Sequence, residues 1–401
     1  MSRFLFVVPP MAGHINPTVA VSSELISRGH EVAWAGEPSV LASLLPQDAR
    51  IFPTDESFSA ETLRAVTARA QGLRGAEAFR FLWKDVLIPL GEAMLPQVEE
   101  AIKHFSPDVL IADQQALAGA VAARRNGIRW ATSATTSSEL VNSFTLFPMF
   151  GAWLNNELRT FQHRVGVSEL DAARGDLRFS EHLVLAFSAK ELVGSGPFPS
   201  SWLFVGPAMG GRHHAVDFPW SWLDPQRHHV LLTLGTINAA SGRQFFENAI
   251  AAAERLTDRL QMIVVAPDGM LSLDAANVLV RPVVPQLDLL KHVDTVICHA
   301  GHNTVCETLA HGIPLIVAPI RDDQPIVAQQ VVDAGAGIRL KYGRVRAEEI
   351  MKALQDVLEI SSYRHSAERI RSAFRVGGGS STAADGLEML ATQAMVLAEA
   401  R

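Results

Sequence analysis

Short runs rich in Val, Ile, Leu and Phe alternate along the whole chain with longer segments whose apolar residues recur every three or four positions. Buried parallel strands covered by amphipathic helices produce that alternation, so it predicts βαβ units and an α/β fold. The first set opens with a strand over Arg3 to Val8, a turn from Pro9 to Pro17, a helix to about Arg28 and a strand from Glu31 to Ala35. Further strands are predicted over Asp108 to Ala112, Arg129 to Thr132, His182 to Phe187 and Trp202 to Val205. Between 59 and 104 the period is helical, with Phe79, Leu82, Trp83, Val86 and Leu87 on one face.

A stretch dense in Gly and Pro, Gly206-Pro-Ala-Met-Gly-Gly through Phe218-Pro219, separates this set from a more regular second one. There strands are predicted over His229 to Leu234, Gln261 to Ala266, Val278 to Pro282, Thr295 to His299 and Pro314 to Ala318. Helices are expected near 243–258, 303–311, 324–334 and 346–359. The division is thus a first domain over 1–208, a linker over 209–220, a second domain over 221–379 and a terminal helix over 380–401 after Gly377-Gly-Gly. That last helix is long enough to dock elsewhere or to cross back to the first domain.

Length agrees with two domains, since 401 residues at 48% hydrophobic bury a large core. Charge excludes a nucleic-acid partner, because 35 Lys and Arg face 42 Asp and Glu and leave a net −7. Two cysteines, Cys298 and Cys306, suit a reducing compartment better than a disulfide framework or a four-ligand zinc site. The opening apolar run is cut by Pro9 and Pro10, too early for a signal peptide. The longest apolar stretch, Leu140 to Leu154, is interrupted by Asn142, Ser143, Pro148 and Gly151 and is a poor membrane span. A cytoplasmic enzyme with no integral membrane association is expected, with a homodimer left open.

Several common chemistries lack their signatures: G-x-G-x-x-G after the first strand, G-x-x-x-x-G-K-[ST] and G-x-S-x-G are all absent. No Asp-x-Asp offers itself to a divalent metal, which favours a metal-free mechanism without a resident cofactor. The turn Pro9-Pro-Met-Ala-Gly13-His14 places one histidine where open α/β sheets bind ligands. An imidazole's ordinary titration range suits His14 to the part of general base, provided a partner fixes its tautomer. Asp113, ending the strand Val109-Leu-Ile-Ala, could be that partner; the alternative is that both residues merely cap their helices.

The segment His299-Ala-Gly301-His302-Asn303-Thr304 joins a strand to a helix through a glycine turn, an arrangement that presents backbone N–H groups and the helix dipole to a phosphate. Glu307, one turn along, suits sugar hydroxyls, and Asp323 and Gln324 end the next strand. Gly235-Thr236 is a second strand-end turn able to reach the same phosphate. His213-His214 and His228-His229 lack ligand spacing and read as solvated loop residues.

Together these residues make the chain resemble the inverting GT-B glycosyltransferases that glycosylate small molecules, above all the bacterial branch that decorates macrolide and enediyne antibiotics and is related to plant UDP-glycosyltransferases. The resemblance is strongest over Val283-Val-Pro-Gln286, His299-Ala-Gly-His-Asn-Thr304, Glu307, Gly312-x-Pro314 and Asp323-Gln324. It implies two Rossmann-like domains facing each other across a cleft. By the same resemblance the Val284 backbone meets the pyrimidine, Gln286 lies against the nucleoside, and His299, Gly301, His302, Asn303, Thr304 and Thr236 surround the diphosphate. Glu307 would bind the ribose, Asp323 and Gln324 the donor sugar, and Gly13 would also face the donor. His14 matches the family's general base and Asp113 its partner. Two departures stand out: Val283 where many relatives stack an aromatic residue on the base, and His302 where plant relatives carry Trp.

The expected reaction moves a hexose or deoxyhexose from a UDP- or dTDP-sugar to a hydroxyl of an apolar natural-product acceptor, with inversion and without metal. Phe79, Trp83, Phe144, Phe147, Met149 and Trp153 are the aromatic and apolar residues that could line the acceptor site, or simply fill the core. The competing readings are a nucleotide-sugar epimerase or hydrolase, a non-catalytic nucleotide- or aglycone-binding relative, and an enzyme with a lipid acceptor.

Overall fold

The computed structural model describes residues 1–54, 62, 65–66, 69, 73, 75–140, 148–210, 216–235, 242–271 and 275–399. The chain divides into two compact units, Met1–Phe187 with Gly196–Arg212 and Gly377–Arg401, and Ser188–Ser195 with His213–Val376.

The first unit is built on β1 (Arg3–Val7), β2 (Glu31–Gly36), β3 (Arg50–Pro53), β4 (Val109–Asp113), β5 (Trp130–Ala134), β6 (Leu183–Ala186) and β7 (Trp202–Phe204). These form one sheet in the order β3-β2-β1-β4-β5-β6-β7, with every pair parallel. Both faces are covered, so the central strands read as continuous apolar runs rather than alternating ones. One face packs against the helices Ile88–Phe105 and Leu117–Asn126. Gly119 allows the second of these its close approach, since a Cβ there would stand 2.8 Å from that of Ala112. The helical stretch expected between 59 and 104 is observed from Gly75 onward, with a π-helical turn over Leu82–Leu87.

The other face carries the helix Ala12–Ser27 and the terminal helix Gly379–Glu399, whose Ala383, Ala384, Leu387, Leu390 and Ala391 are buried with Phe4, Phe6 and Trp34. The terminal helix is therefore part of the first unit rather than a separate segment. Arg28 fastens it, donating to Asp385 at 2.6 Å and Glu388 at 2.7 Å while also holding Glu24. His30 adds a contact from Nε2 to Glu388 at 2.7 Å. Gly378 and Gly379, both with positive φ, let the chain turn between the helices Ser361–Gly377 and Gly379–Glu399.

The second unit holds β8 (His228–Thr233), β9 (Leu260–Val265), β10 (Val278–Arg281), β11 (Thr295–Cys298), β12 (Leu315–Val317) and β13 (Gly337–Arg339). Their order is β10-β9-β8-β11-β12-β13, again wholly parallel. The segment 188–195 belongs here and not to the first domain, because Ala189 and Leu192 pack into the second core. Three further elements were not anticipated: the edge strands β3 and β13, each too short to show a period, and the helix Ser361–Gly377. That helix buries only Ala367, Ile370 and Phe374 among many charges. Among the described residues no helix is long and apolar enough to cross a membrane.

Candidate active site

In both sheets the strand order reverses once, at β1/β4 in the first unit and at β8/β11 in the second. Chain connections leave in opposite directions at such a point, which opens a crevice beyond the carboxyl ends of the two strands. His14 and Asp113 stand just beyond or at the carboxyl ends of β1 and β4, and His299 to Thr304 follow the carboxyl end of β11.

In the first unit the helix after β1 begins at Ala12 instead of after Pro17, so His14 lies in its first turn and not in a loop. Pro17 is accommodated inside the helix, bringing no amide to the ladder. Asp113 is the last residue of β4, with its side chain fully buried, while that of His14 keeps 15% exposure. Their separation, Nδ1 to Oδ1, is 2.9 Å. Asp113 Oδ1 also accepts the Gln115 N–H at 2.9 Å, and Oδ2 accepts the Thr135 hydroxyl at 2.7 Å. An ionised carboxylate can only accept, so the shared hydrogen sits on His14 Nδ1 and the ring's lone pair is on Nε2. That tautomer is the one a general base requires.

Thr135, one residue past β5, also places its hydroxyl oxygen 2.7 Å from His14 Nδ1. Sequence reading missed it. Its only signal is register: Ser133 pairs with Asp113 across β4 and β5, so Thr135 continues the same face beyond the strand end. Behind the pair, Gln115 Nε2 donates to Glu139 at 3.0 Å, and Glu139 meets Arg178 at 3.3 Å. Arg178 in turn forks onto Asp176, Nε to Oδ1 at 3.0 Å and Nη2 to Oδ2 at 2.6 Å.

In the second unit the helix His302–Ala310 starts directly after β11, with Gly301 as an N-cap that has no side chain to occupy the first-turn amides. His299 precedes it, its partly exposed ring packed against Gly235 and Gly301. A Cβ at either glycine would lie 2.7 or 2.6 Å from the imidazole, so only glycine leaves the ring its seat. Ala300 between them takes a φ of +65°, a strained value for a residue with a Cβ. Asn303 and Thr304 follow in the helix's first turn, and the His302 ring is buried against Cys306, with Sγ 3.5 Å from Nε2.

The structure brings Gln286 and Glu307 together: Gln286 Nε2 donates to Glu307 Oε2 at 2.7 Å. Gln324 Oε1 accepts the backbone N–H groups of Ile320 and Arg321 at 2.8 and 3.0 Å, which fixes the orientation of the side-chain amide. Asp323 is the N-cap residue of the helix Gln324–Asp333. Val284 packs into the core, whereas Val283 is 58% exposed. Gly13 is exposed beside His14. Thr236 lies outside the described residues.

Burial pushes the His299 imidazole down to about 4, against the opposing charge of Asp323 and a backbone hydrogen bond with Thr233. The ring is therefore neutral at physiological pH and offers a hydrogen bond rather than a charge. Unfolded, it titrates near ~6.5, so between these values the unfolded chain holds the extra proton. Stability is then complete above about pH 6.5 and declines as pH falls towards 4, by on the order of 3 kcal/mol. Denaturant titrations at a series of pH values should show His299→Gln losing less stability than the parent on acidification. Parallel curves would disprove this.

The histidine pair His228-His229 lies in β8 and is not a solvated loop as the spacing suggested. His229 is buried, with its ring nitrogens 2.9 Å and 3.0 Å from the carbonyl oxygens of His292 and Asp224. His213-His214 lies outside the described residues.

Of the apolar residues considered for an acceptor, Trp83 is 1% exposed and belongs to the core, which is where an aromatic at helical spacing ordinarily ends. Phe79 and Trp153 are partly buried against that core with rings 6.2 Å apart, and Met149 is 84% exposed. Phe144 and Phe147 lie outside the described residues.

Comparison with known proteins adds the following. The family described as UDP-glucoronosyl and UDP-glucosyl transferase matches residues 230–375, wholly within the second unit. The demethyllactenocin mycarosyltransferase of Streptomyces fradiae is 30% identical over 98% of this chain and 87% of its own length. The calicheamicin glycosyltransferase CalG4 superposes with a TM-score of 0.78 at 21% identity, covering 97% of this chain and 98% of that one. The glycosyltransferase VinC, solved in complex with dTDP, gives a TM-score of 0.73 at 18% identity over 98% and 100% of the two chains. The two parallel-sheet units are those of the GT-B fold.

Proposed function

The chain belongs to the family of UDP-glucoronosyl and UDP-glucosyl transferases, in company with antibiotic glycosyltransferases, and from that premise we propose that it moves a hexose or deoxyhexose from a UDP- or dTDP-sugar to a hydroxyl of an apolar natural product. His14 Nε2 takes the proton from the acceptor hydroxyl, whose oxygen bonds to the anomeric carbon as the bond from that carbon to the nucleoside diphosphate breaks. Attack opposite the leaving group inverts the anomeric configuration.

One observation carries this reading: a histidine at a topological switch point is held in the base tautomer by a fully buried carboxylate at 2.9 Å. Charge developing on the diphosphate is met by the amides opening the helix His302–Ala310, by Thr304 and Thr236, and by a neutral His299 acting as a hydrogen-bond donor. Each preorganised donor of this kind is worth about 2.7–4 kcal/mol of barrier. Glu307, paired with Gln286, binds the sugar of the nucleoside, and Asp323 with the Gln324 amide holds the transferred sugar. The reaction uses no metal and no resident cofactor. A dTDP donor is favoured by the ligand bound to VinC, and an antibiotic-like acceptor by the names of the mycarosyltransferase and of CalG4.

Nucleoside diphosphate release from a panel of UDP- and dTDP-sugars, with and without apolar acceptors and EDTA, tests the proposal. Acceptor-dependent release untouched by EDTA, with an anomeric coupling constant reporting inversion, is the expected outcome. Turnover of the sugar without any acceptor would instead assign hydrolysis or epimerisation, and loss with EDTA would restore a metal.

A further inference from the structure

We propose that Thr135 is a positioning residue of the transfer reaction, bridging the His14 imidazole and the Asp113 carboxylate so that the two form one rigid unit; this rests on the reading of His14 as the base. The Thr135 hydroxyl has one hydrogen and two lone pairs. Its hydrogen is directed to Asp113 Oδ2 at 2.7 Å, which turns a lone pair towards His14 Nδ1, also at 2.7 Å. The Nδ1 hydrogen then lies between two acceptors, Asp113 Oδ1 at 2.9 Å and Thr135 Oγ1.

Burial makes the bridge matter. Thr135 is 3% exposed and the Asp113 side chain 0%, so solvent does not replace a lost hydroxyl at Oδ2. Asp113 Oδ1 has a second donor in the Gln115 amide, but Oδ2 faces Thr135. Removing the hydroxyl leaves a buried carboxylate oxygen short of a donor and frees the carboxylate to rotate, and with it the ring it orients. After proton transfer the ring is an imidazolium, and the same hydroxyl oxygen stabilises the charge at Nδ1. Thr135 thus acts both before the step, on geometry, and after it, on charge.

Thr135→Val keeps the shape and removes only the hydroxyl. Its kcat should fall by about 10–100-fold, by analogy with the loss seen when the hydrogen-bond partner orienting a metal-ligating histidine is removed. The donor KM and the affinity for UDP or dTDP should be unchanged, and Thr135→Ser should recover most of the loss. Since Thr135 works through His14, the double variant His14→Ala/Thr135→Val should be no slower than His14→Ala alone. A second readout needs no turnover: in ¹⁵N-imidazole spectra, His14 should hold the Nδ1–H tautomer in the parent and shift towards a mixture in Thr135→Val. Should the valine variant not fold, as judged by lost nucleotide binding, Thr135→Ala carries the same expectations. Full activity with an unchanged His14 spectrum overturns the proposal. Retained turnover in His14→Ala overturns the base assignment instead, and the spectrum then decides on Thr135 independently.

Discussion

His14→Ala is expected to lower turnover by about 10²- to 10⁴-fold, the usual contribution of a positioned general base, while leaving nucleotide affinity as it was. As the proposed base, His14 acts on the acceptor hydroxyl, so the loss should fall on kcat with the donor KM preserved. The fold should survive, because the Asp113 carboxylate keeps the Gln115 amide and the Thr135 hydroxyl as donors when the ring is gone. Asp113→Asn is the companion variant. Its amide can present N–H to Nδ1 and so stabilise the tautomer with the proton on Nε2, which cannot accept the acceptor's proton. Steady-state rates over pH, with calorimetric titration of UDP and dTDP alongside, decide the matter. Turnover within a few fold of the parent in His14→Ala would remove the residue from the mechanism.

How far such a site is readable without coordinates depends on how local its signals are. The β1 turn with His14, the end of β4 with Asp113 and the β11 turn with His299 to Thr304 each announce themselves within ten residues, as apolar runs that stop at a polar side chain. That His14 and Asp113 meet follows from β4 lying beside β1 in the parallel sheet. Thr135 is different in kind. Nothing around Trp130–Ala134 marks it, and only the register Asp113 to Ser133 brings its hydroxyl to the pair. Gly235 and Gly301 likewise look like ordinary turn glycines until the His299 ring is seen packed against both. His229 shows the converse: a histidine at the start of an apolar strand looks solvated by sequence, yet two backbone carbonyls from separate segments bury it. The domain boundaries missed 188–195 for the same reason, since Ala189 and Leu192 carry no period of their own.

Arg178 supplies the largest expected effect on stability. It lies on a loop of the first unit with 6% of its side chain exposed, between Glu139 and Asp176, and its guanidinium stands 5.6 Å over the Trp83 ring and 5.4 Å over Phe179. Burial raises the Glu139 carboxyl above its ordinary range even against Arg178. Burial would raise Asp176 too, but the charge of Arg178 and its fork of hydrogen bonds hold that carboxyl below the ordinary range. Arg178→Ala removes the cation that contacts both and leaves two carboxylates where the three groups together carried one net negative charge. Breaking a buried pair from one side costs about 3–5 kcal/mol, mostly as the uncompensated charge left behind. The sign with pH follows. Without Arg178 both carboxyls titrate higher in the folded chain than unfolded, so the penalty is full at neutral pH and shrinks as acid protonates them. Denaturant midpoints of Arg178→Ala and the parent should therefore converge on acidification. Because Glu139 also receives the Gln115 side chain, whose backbone amide holds Asp113, the variant should lose activity before it unfolds. A gap between the two midpoints that stays constant with pH would mean that the lost packing against Trp83 and Phe179, and not the stranded charge, accounts for the cost.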